Sequence, residues 1–335
     1  MITLKTIDAH AAGEPLRLIV DGFPSPQGRT MLDKREWVRA HSDHLRRALM
    51  LEPRGHADMY GAILTEPVAA GSHAGVLFMH NEGYSTMCGH GVIAVTTMAL
   101  ERGLLMPGGD GATIVYDSPA GTIRARAKLR TGGAGHAGVE SVSFLNVPSF
   151  VLLGGMTVKL GSRAIRADVA FGGAFYAIVD SEAAGLPIDI AHLPELRRVG
   201  MDIKHAIEAT QTIVHPLDAG LSGIYGTIFT GPPSDDRADL RNVTIFADAE
   251  VDRSPCGTGT AAVMAVIDAM GLLGSDRPFV HESLIGTRFN GRVASRTRVA
   301  EYPAIVPEIE GSAWITGEHT FLVDDLDPLK DGFRI

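Results

Sequence analysis

Short apolar runs rich in β-branched and aromatic residues recur along the whole chain, each bounded by Gly, Pro, Asp or Asn. Runs of this length and composition predict strands. Strands therefore dominate the predicted structure. The predicted strands are LRLIV (16–20), YGAILT (60–65), AGVLFMH (74–80), ATIVYD (112–117), TIRARAKL (122–129), VESVSFLNV (139–147), FVLLG (150–154), FYAIVD (175–180), IYGTIFTG (224–231), VTIFAD (243–248), RVASRTRVA (292–300) and SAWITGEHTFLV (312–323).

Two pairs of segments have the spacing of helices. Segments 33–51 (DKREWVRAHSDHLRRALML) and 194–209 (PELRRVGMDIKHAIEA) set apolar residues three and four positions apart among charged ones, which predicts amphipathic surface helices. Segments 89–103 (GHGVIAVTTMALERG) and 257–271 (GTGTAAVMAVIDAMG) are apolar on almost every side, which is typical of a helix buried by strands. The predicted fold class is therefore α/β, with few helices and two of them buried.

The two apolar helices correspond to each other position by position. Each follows a cysteine, Cys88 or Cys256, and each ends at a glycine 15 residues after that cysteine. Positions 88 and 256 differ by 168, half of 335, so the sequence predicts a duplicated unit and two pseudo-symmetric domains. Pro148 and the glycines 154, 155 and 161 interrupt the strand pattern, which places the boundary there. The predicted halves are residues 1–155 and 156–335, with the C-terminal residues able to pack back on the first half.

Composition and charge narrow the class of protein. With 45% hydrophobic and 21% charged residues, the chain is typical of a folded globular protein. It has 30 Lys and Arg against 39 Asp and Glu, a net charge of −9, which argues against a nucleic-acid partner. No apolar run approaches the ~18 residues of a membrane span, and the N-terminus lacks the pattern of a signal peptide, so we predict no membrane partner and a cytoplasmic location. The two cysteines are then expected to be free thiols rather than a disulfide.

The turns around the two cysteines carry the candidate chemistry. The sequences MCGHG and PCGTG place Cys88 and Cys256 just ahead of the buried helices, where unpaired amides and the positive end of the helix dipole collect. That position suits a thiolate and also a bound carboxylate. If the halves pack face to face, one sulfur lies on either side of a small molecule. Its carboxylate would be held by the backbone amides of Gly89, His90, Gly257 and Thr258.

A pair of opposed acid–base groups is what inversion of a stereocentre requires. One group removes the proton from one face, and the other delivers a proton to the opposite face. Amides aimed at the carboxylate stabilise the charge that develops in the transition state. Asp252, four residues before Cys256, is placed to hold a positively charged amino or imino nitrogen. This chemistry requires no cofactor, and the chain has no fingerprint of a pyridoxal phosphate site.

Simpler interpretations of the same residues stay open. Cys88 and Cys256 can be buried structural thiols, since free cysteine is among the most buried residue types. His90 can contact the substrate or simply cap its helix. Asp252 can be a solvated turn residue or an ion-pair partner for Arg253.

Other polar clusters give weaker signals. His41 with His44, and His56 with Asp58, have spacings that suit a metal ion. Nothing nearby completes a tetrahedral or octahedral set of ligands. We therefore predict no metal.

Two glycine-rich runs and two carboxylates are also excluded from the candidate site. The runs 131–138 (TGGAGHAG) and 171–175 (FGGAF) lack the Lys-Ser/Thr that follows a phosphate loop, so they are predicted to be turns. Glu14 and Glu82 are interpreted as exposed carboxylates at strand ends, and neither is included in the catalytic set.

At its motifs the chain resembles the proline racemase family, and the resemblance covers nearly all of it. The resemblance implies a fold like that of diaminopimelate epimerase: two similar α/β domains, each a curled sheet around a central helix, with the site in the cleft between them. It also implies Cys88 and Cys256 as proton acceptor and donor, Gly89, His90, Gly257 and Thr258 as substrate-binding backbone, and Asp252 as the contact to the ring nitrogen. Members act on proline or hydroxyproline and are commonly homodimers. The segments that carry it are HAAGEP (10–15), EPRGHADMYGA (52–62), HNEGYSTMCGHG (80–91), VDRSPCGTGT (251–260) and DPLKDGF (327–333).

One departure bears on the reaction. EPRGHADMYGA and HNEGYSTMCGHG look most like the trans-3-hydroxy-L-proline dehydratase branch, whose members carry Thr where this chain has Cys256. Dehydration needs one base, whereas inversion needs the second thiol. The sequence therefore favours a cofactor-independent racemase or epimerase of proline or 4-hydroxyproline. A trans-3-hydroxy-L-proline dehydratase and a non-catalytic carboxylate-binding protein are the alternatives.

Overall fold

The computed structural model describes residues 1–106, 113–130, 138–274 and 277–334. The described helices are α1 Met31–His41, α2 Asp43–Met50, α3 Gly89–Glu101, α4 Leu193–Glu208 and α5 Gly257–Ala269. The described strands are β1 Ile2–Ala11, β2 Glu14–Asp21, β3 Tyr60–Thr65, β4 Ala74–His80, β5 Tyr84–Ser85, β6 Thr113–Ser118, β7 Gly121–Leu129, β8 Val139–Leu145, β9 Ser149–Leu160, β10 Arg163–Phe171, β11 Phe175–Asp180, β12 Val214–His215, β13 Asp218–Ser222, β14 Ile224–Gly231, β15 Leu240–Phe246, β16 Glu250–Asp252, β17 Phe279–Glu282, β18 Arg288–Val299, β19 Tyr302–Gly311 and β20 Ala313–Val323.

The predicted strands and buried helices are confirmed. Each predicted apolar run overlaps a strand, and the first eleven residues of α3 are all buried, as are the first ten of α5. Gly103 and Gly271, just past the two helices, have the left-handed φ values of +66° and +71° that favour glycine at a helix end. The turn predicted at 171–175 is also confirmed, because β10 ends at Phe171 and β11 begins at Phe175. The other glycine-rich run, 131–138, lies outside the described residues except for Gly138.

The helix predicted over 33–51 is wrong as a single element. It is divided at Ser42, whose φ of −133° and ψ of 11° leave helical geometry and separate α1 from α2. The start of α1 is fixed by a capping box, in which Thr30 Oγ1 accepts the Asp33 N–H and Asp33 Oδ2 accepts the Thr30 N–H, at 3.0 Å each. No helix of the described chain is long and apolar enough to cross a membrane.

The chain forms two compact units, residues 1–144 with 311–335 and residues 145–310. The boundary after residue 144 lies earlier than the sequence-based boundary after residue 155, and residues 311–335 belong to the first unit, a return of the C-terminal residues that the sequence-based halves allowed. The expected interruption at Gly154 and Gly155 is wrong, because both glycines lie inside β9. There they form a bulge: the register with β10 shifts beside Asp168, whose Oδ1 accepts the Gly155 N–H at 2.6 Å, and Gly155 has a φ of +65°.

In the first unit a sheet curls around α3. Its strands pair in the order β20, β1, β2, β3, β4, β6 and β7. The helix contacts β20 at one end of this order and β7 at the other, as well as β1, β2 and β3 between them. The curled sheet around a central helix is therefore confirmed for this unit.

The second unit repeats this arrangement around α5. Its strands pair in the order β9, β10, β11, β14, β15, β17 and β18, and β19 pairs with both β18 and β9, so the sheet closes on itself. The helix α5 contacts β9, β10, β11 and β18.

Both strand orders show the same succession of antiparallel and parallel pairs: antiparallel twice, then parallel, antiparallel, parallel and antiparallel. In each unit the buried helix follows a short strand, β5 or β16, paired with β4 or β15. The duplication inferred from the cysteine spacing is thus visible in the topology. The last strand, β20, takes the place in the first unit that β9 takes in the second.

Candidate active site

In the first unit, a helix N-cap and a glycine fix the conformation of the turn at Cys88. Cys88 is the N-cap of α3, and its Sγ accepts the Gly91 N–H at 3.2 Å. A Cβ on Gly91 would lie 2.4 Å from Phe78 Cε1 and 2.9 Å from Cys88 Sγ, so only glycine fits the first turn. The sulfur is thereby held at the positive end of a helix dipole, where a thiolate is stabilised.

The imidazole of His90 lies against the Cys88 sulfur. Its Nδ1 is 3.2 Å from Sγ, and both side chains are buried. The ring of Tyr60 meets His90 edge-on at 4.8 Å, and the Tyr60 hydroxyl is hydrogen-bonded to Ser85 Oγ. The His90 side chain is therefore within proton-transfer distance of the thiol, a role that neither sequence-based interpretation of it included.

The adjoining motif segment 52–62 is held in place by Asn81, at the end of β4. The Asn81 side chain accepts the Met59 N–H at 3.2 Å and donates to the carbonyls of Met50 and His56. Arg17 donates to the carbonyl of Arg54 in the same segment. These contacts are between buried or half-buried groups, and they fix the backbone that leads into Tyr60.

In the second unit Cys256 is the N-cap of α5, and its Sγ accepts the Gly259 N–H at 3.3 Å. Its φ of +62° is uncommon for a residue with a side chain, which indicates that the turn is held by its surroundings. Burial, and to a smaller extent the charge of Asp252, raises the pKa of the Cys256 thiol. The thiol is therefore protonated at neutral pH in the ligand-free chain.

Two hydroxyl groups also contact the Cys256 sulfur. Tyr176 Oη lies 3.7 Å from Sγ and Thr258 Oγ1 lies 3.8 Å from it, and the two hydroxyls are hydrogen-bonded to each other at 2.7 Å. Burial raises the pKa of Tyr176 well above its ordinary value, so its hydroxyl keeps its proton.

Asp252 organises the turn before Cys256. Its Oδ1 accepts the Ser254 N–H at 2.8 Å and the Ser254 hydroxyl at 2.6 Å, and Ser254 Oγ in turn accepts the Cys256 N–H at 3.1 Å. Asp252 is only 4% exposed, so the interpretation as a solvated turn residue is wrong. The buried carboxylate is stabilised by the two hydrogen bonds from Ser254.

A buried polar cluster lies beneath the same turn. His281 Nδ1 lies 2.8 Å from Thr260 Oγ1, and Asn242 Nδ2 lies 2.7 Å from His281 Nε2. Thr260 and Asn242 both donate to the carbonyl of Pro255, the residue before Cys256. Burial lowers the pKa of His281 to about 3, so its neutral imidazole is part of the folded structure.

This cluster predicts acid sensitivity in the second unit. Between the ordinary histidine pKa of about 6.5 and about 3, the unfolded chain binds a proton at His281 that the folded chain excludes, so the free energy of unfolding falls as pH falls. The loss is about 1.4 kcal/mol per pH unit, or about 2 kcal/mol at pH 5. Urea unfolding at pH 7 and pH 5 should show this loss in the parent chain and a smaller one in His281→Gln. Equal losses of unfolding free energy in the two proteins would show that His281 is not the source of the acid sensitivity.

The turn at 171–175 approaches the first turn of α5 closely. A Cβ on Gly172 would lie 2.2 Å from Thr258 O and 2.7 Å from Ala262 N, both backbone atoms. The sequence predicts this turn but carries no local signal that places it beside Thr258.

Gly172→Ala is therefore expected to displace the start of α5. We expect a loss of about 3 kcal/mol in the free energy of unfolding, because the overpacking is against backbone that cannot rotate away. Gly154→Ala is the matched control, since its nearest contact would be Asp168 Oδ1 at 3.8 Å, and it should cost less than about 1 kcal/mol. Thermal unfolding of both variants measures the difference, and similar losses would refute the close-approach argument.

The structure thus gathers the predicted residues into two groups. Cys88, Gly89 and His90 lie at the start of α3. Cys256, Gly257 and Thr258 lie at the start of α5, just after Asp252 at the end of β16. Both cysteines are free thiols, as predicted, and in the described part of the chain no three His, Cys, Asp or Glu side chains form a metal cluster.

The expectation of an exposed Glu14 is wrong, because that side chain is fully buried beside the turn between β1 and β2. Glu82 is exposed, as expected, and forms an ion pair with Arg334. Sequence reasoning also missed Tyr176 and His281, which come from strands 80 and 25 residues away from Cys256 and carry no local motif.

Comparison with known proteins identifies the family of this chain. Residues 6–334 match the family model described as proline racemase. The chain is 50% identical over 330 residues to a trans-3-hydroxy-L-proline dehydratase of Bacillus cereus, covering 98% of this chain and 97% of that protein. It is 43% identical over 334 residues to a 3-hydroxyproline 2-epimerase of Burkholderia multivorans, covering 99% and 98%.

Among solved structures, a hydroxyproline epimerase from Agrobacterium vitis with bound trans-4-hydroxy-L-proline is similar at a TM-score of 0.90 and 31% identity, covering 100% of this chain and 97% of that one. The fold, the two capping cysteines and the relatives lead to one conclusion. This chain belongs to the proline racemase family and is an enzyme of that family.

Proposed function

We propose that this chain is a cofactor-independent racemase or epimerase that inverts the α-carbon of a proline-type imino acid with the thiols of Cys88 and Cys256. The observation that carries the proposal is the repeated cap. In each unit a buried cysteine precedes a buried helix, and its sulfur accepts the amide N–H three residues later. Inversion uses two such thiols, whereas one-base chemistry would use only one.

The surroundings of the two sulfurs support different starting roles. Cys88 lies beside the His90 imidazole, which can take up the thiol proton. Cys256 is held as a thiol by burial and by the charge of Asp252. In one direction the Cys88 thiolate removes the α-proton and the Cys256 thiol delivers a proton to the opposite face, and in the other direction the roles are exchanged.

The substrate's own charges complete the mechanism. Its cationic ring nitrogen beside Asp252 would offset the carboxylate charge that raises the pKa of the Cys256 thiol, so that this sulfur can also act as a base. Its carboxylate would accept hydrogen bonds from the amides of Gly89, His90, Gly257 and Thr258 as negative charge develops. This mechanism requires a site between the two halves, which stays a prediction, as do a homodimer and a cytoplasmic location.

Proline and 4-hydroxyproline are the substrates that the sequence favours, and the relatives add 3-hydroxyproline. One relative is named for the 2-epimerisation of that imino acid, and another for its dehydration. Dehydration of trans-3-hydroxy-L-proline is therefore the second candidate function. It is supported by the 50% identity and needs only Cys88 to remove the α-proton.

The test is a panel of proline, 4-hydroxyproline and 3-hydroxyproline isomers incubated with the purified protein in deuterated water. Inversion predicts deuterium at the α-carbon together with the opposite configuration, detected by chiral chromatography and mass spectrometry. Loss of water from trans-3-hydroxy-L-proline without inversion of any isomer would establish the dehydratase instead. Binding of an imino acid without exchange would reject both reactions.

A further inference from the structure

The hydroxyl group of Tyr176 is part of the second thiol's surroundings and lies outside every motif that the sequence analysis used. Tyr176 is on β11, where it pairs with Ala170 of β10 and Gly226 of β14. Its side chain is fully buried, and its hydroxyl contacts the Cys256 sulfur and Thr258 Oγ1.

The short hydrogen bond between the two hydroxyls limits how their protons can be arranged. Tyr176 Oη and Thr258 Oγ1 lie 2.7 Å apart, so one of the two protons lies between the oxygens. The other hydroxyl then keeps its proton for a different acceptor. Since both oxygens are within 3.8 Å of Cys256 Sγ, either arrangement leaves one O–H able to point at the sulfur.

The same two hydroxyls can also accept a hydrogen bond from the protonated sulfur. When Cys256 is a thiol, its S–H can donate to one hydroxyl oxygen, and the protons of the pair turn the other way. Rotation about two C–O bonds is enough for the change, and no heavy atom has to move. Cys88 has a different partner, the imidazole of His90.

We propose that Tyr176 is a further catalytic residue, whose hydroxyl, coupled to Thr258, donates a hydrogen bond to the Cys256 sulfur when that thiol loses its proton. A hydrogen bond to an ionised acceptor is stronger than one between neutral groups, so the contact favours the thiolate. The consequence for turnover rests on the proposed function: inversion should slow in both directions, because proton abstraction by Cys256 in one direction is the reverse of proton delivery in the other.

The test is Tyr176→Phe, which removes one oxygen atom and keeps the buried ring. The ligand-free protein is treated with iodoacetamide at pH 8, and the alkylation rates of Cys88 and Cys256 are measured on separate peptides by mass spectrometry. The Thr258 hydroxyl remains in Tyr176→Phe and can turn toward the sulfur, so the full loss is measured in the double variant Tyr176→Phe with Thr258→Val. Losing the hydrogen bond to a charged group lowers the thiolate fraction about tenfold. The more basic sulfur is about threefold more nucleophilic, so we expect alkylation of Cys256 to slow by about threefold in the double variant and by less in Tyr176→Phe.

Two controls separate this effect from a loss of packing. Cys88 in the same molecule should keep its rate. Tyr116→Phe removes an equally buried hydroxyl, one bonded to Thr96 of α3, and should leave the Cys256 rate unchanged. A purely structural role predicts the opposite sign, because a loosened core would expose Cys256 and speed its alkylation. An unchanged or faster rate at Cys256 in the double variant, or the same slowing in Thr258→Val alone, would overturn the proposal.

The alkylation result does not depend on turnover, so the two proposals can fail separately. If the parent chain inverts no imino acid, the proposed function fails while the alkylation rates still decide the role of Tyr176. If the parent chain is active and the double variant keeps the Cys256 alkylation rate of the parent, only the inference about Tyr176 is rejected.

Discussion

Cys88→Ser and Cys256→Ser are each expected to lower the rate of inversion by about 10³-fold or more. General acid–base groups contribute factors of about 10² to 10⁴, and a serine hydroxyl does not ionise at neutral pH to take the place of a thiolate. Because both thiols act in one reaction, the double variant should lose little beyond either single variant. The measurement is chiral chromatography of proline and 4-hydroxyproline after incubation with each protein.

These substitutions should leave the fold intact, which makes the loss interpretable. Serine is among the preferred N-cap residues, so its hydroxyl can accept the Gly91 or Gly259 amide in place of the sulfur. The thermal unfolding temperatures of both variants should therefore stay close to that of the parent. A Cys88→Ser or Cys256→Ser protein that keeps more than a tenth of the parent rate would show that its thiol is not an acid–base group.

The elements that sequence predicts best are those whose pattern is local. Apolar runs bounded by turn residues identify the buried strands, and the all-round apolar character of α3 and α5 predicts their burial. The same reasoning misses β1 and β10, in which charged residues alternate with buried ones. It also misses the break at Ser42, because the apolar spacing on either side continues across it.

The exact division of the chain could not be predicted, for a topological reason. The sequence-based halves allow the C-terminal residues to pack back on the first half, but no local pattern shows which strand they join. In the structure the first unit is completed by β20, which pairs with β1 along ten residues of that strand. The glycines also gave a wrong boundary signal, because Gly155 forms part of a bulge within β9 and does not lie in a linker.

The candidate site divides in the same way between local and distant residues. The cysteines, their glycines and Asp252 lie within a few residues of a helix start, so capping rules predict them from sequence. Tyr176, His281 and Gly172 reach the Cys256 turn through strand pairing, and pairing between distant strands cannot be read from one sequence. Tyr176 contacts the Cys256 sulfur, His281 contacts Thr260 beneath the turn, and Gly172 packs against the Thr258 carbonyl, so these distant residues help to hold the turn.

Cys256→Thr is the second substitution with a large expected effect, because it separates the two candidate reactions. The resemblance to the dehydratase branch implies Thr at this position in enzymes of that reaction. The variant should lose inversion of proline by about 10³-fold, since its hydroxyl cannot deliver and remove protons as a thiol does. Cys88 and the surroundings of His90 are unchanged, so removal of the α-proton from trans-3-hydroxy-L-proline should continue.

In that substrate the electron pair left at the α-carbon can form a double bond to the neighbouring ring carbon, and the 3-hydroxyl leaves as water after taking up a proton. We therefore expect Cys256→Thr to dehydrate trans-3-hydroxy-L-proline at least as fast as the parent, measured by mass spectrometry as loss of one water. Cys256→Ser is the control for strain, because a β-branched residue suits the φ of +62° less well than serine. If Cys256→Thr still inverted proline at the parent rate, the second thiol would not be the group that decides between inversion and dehydration.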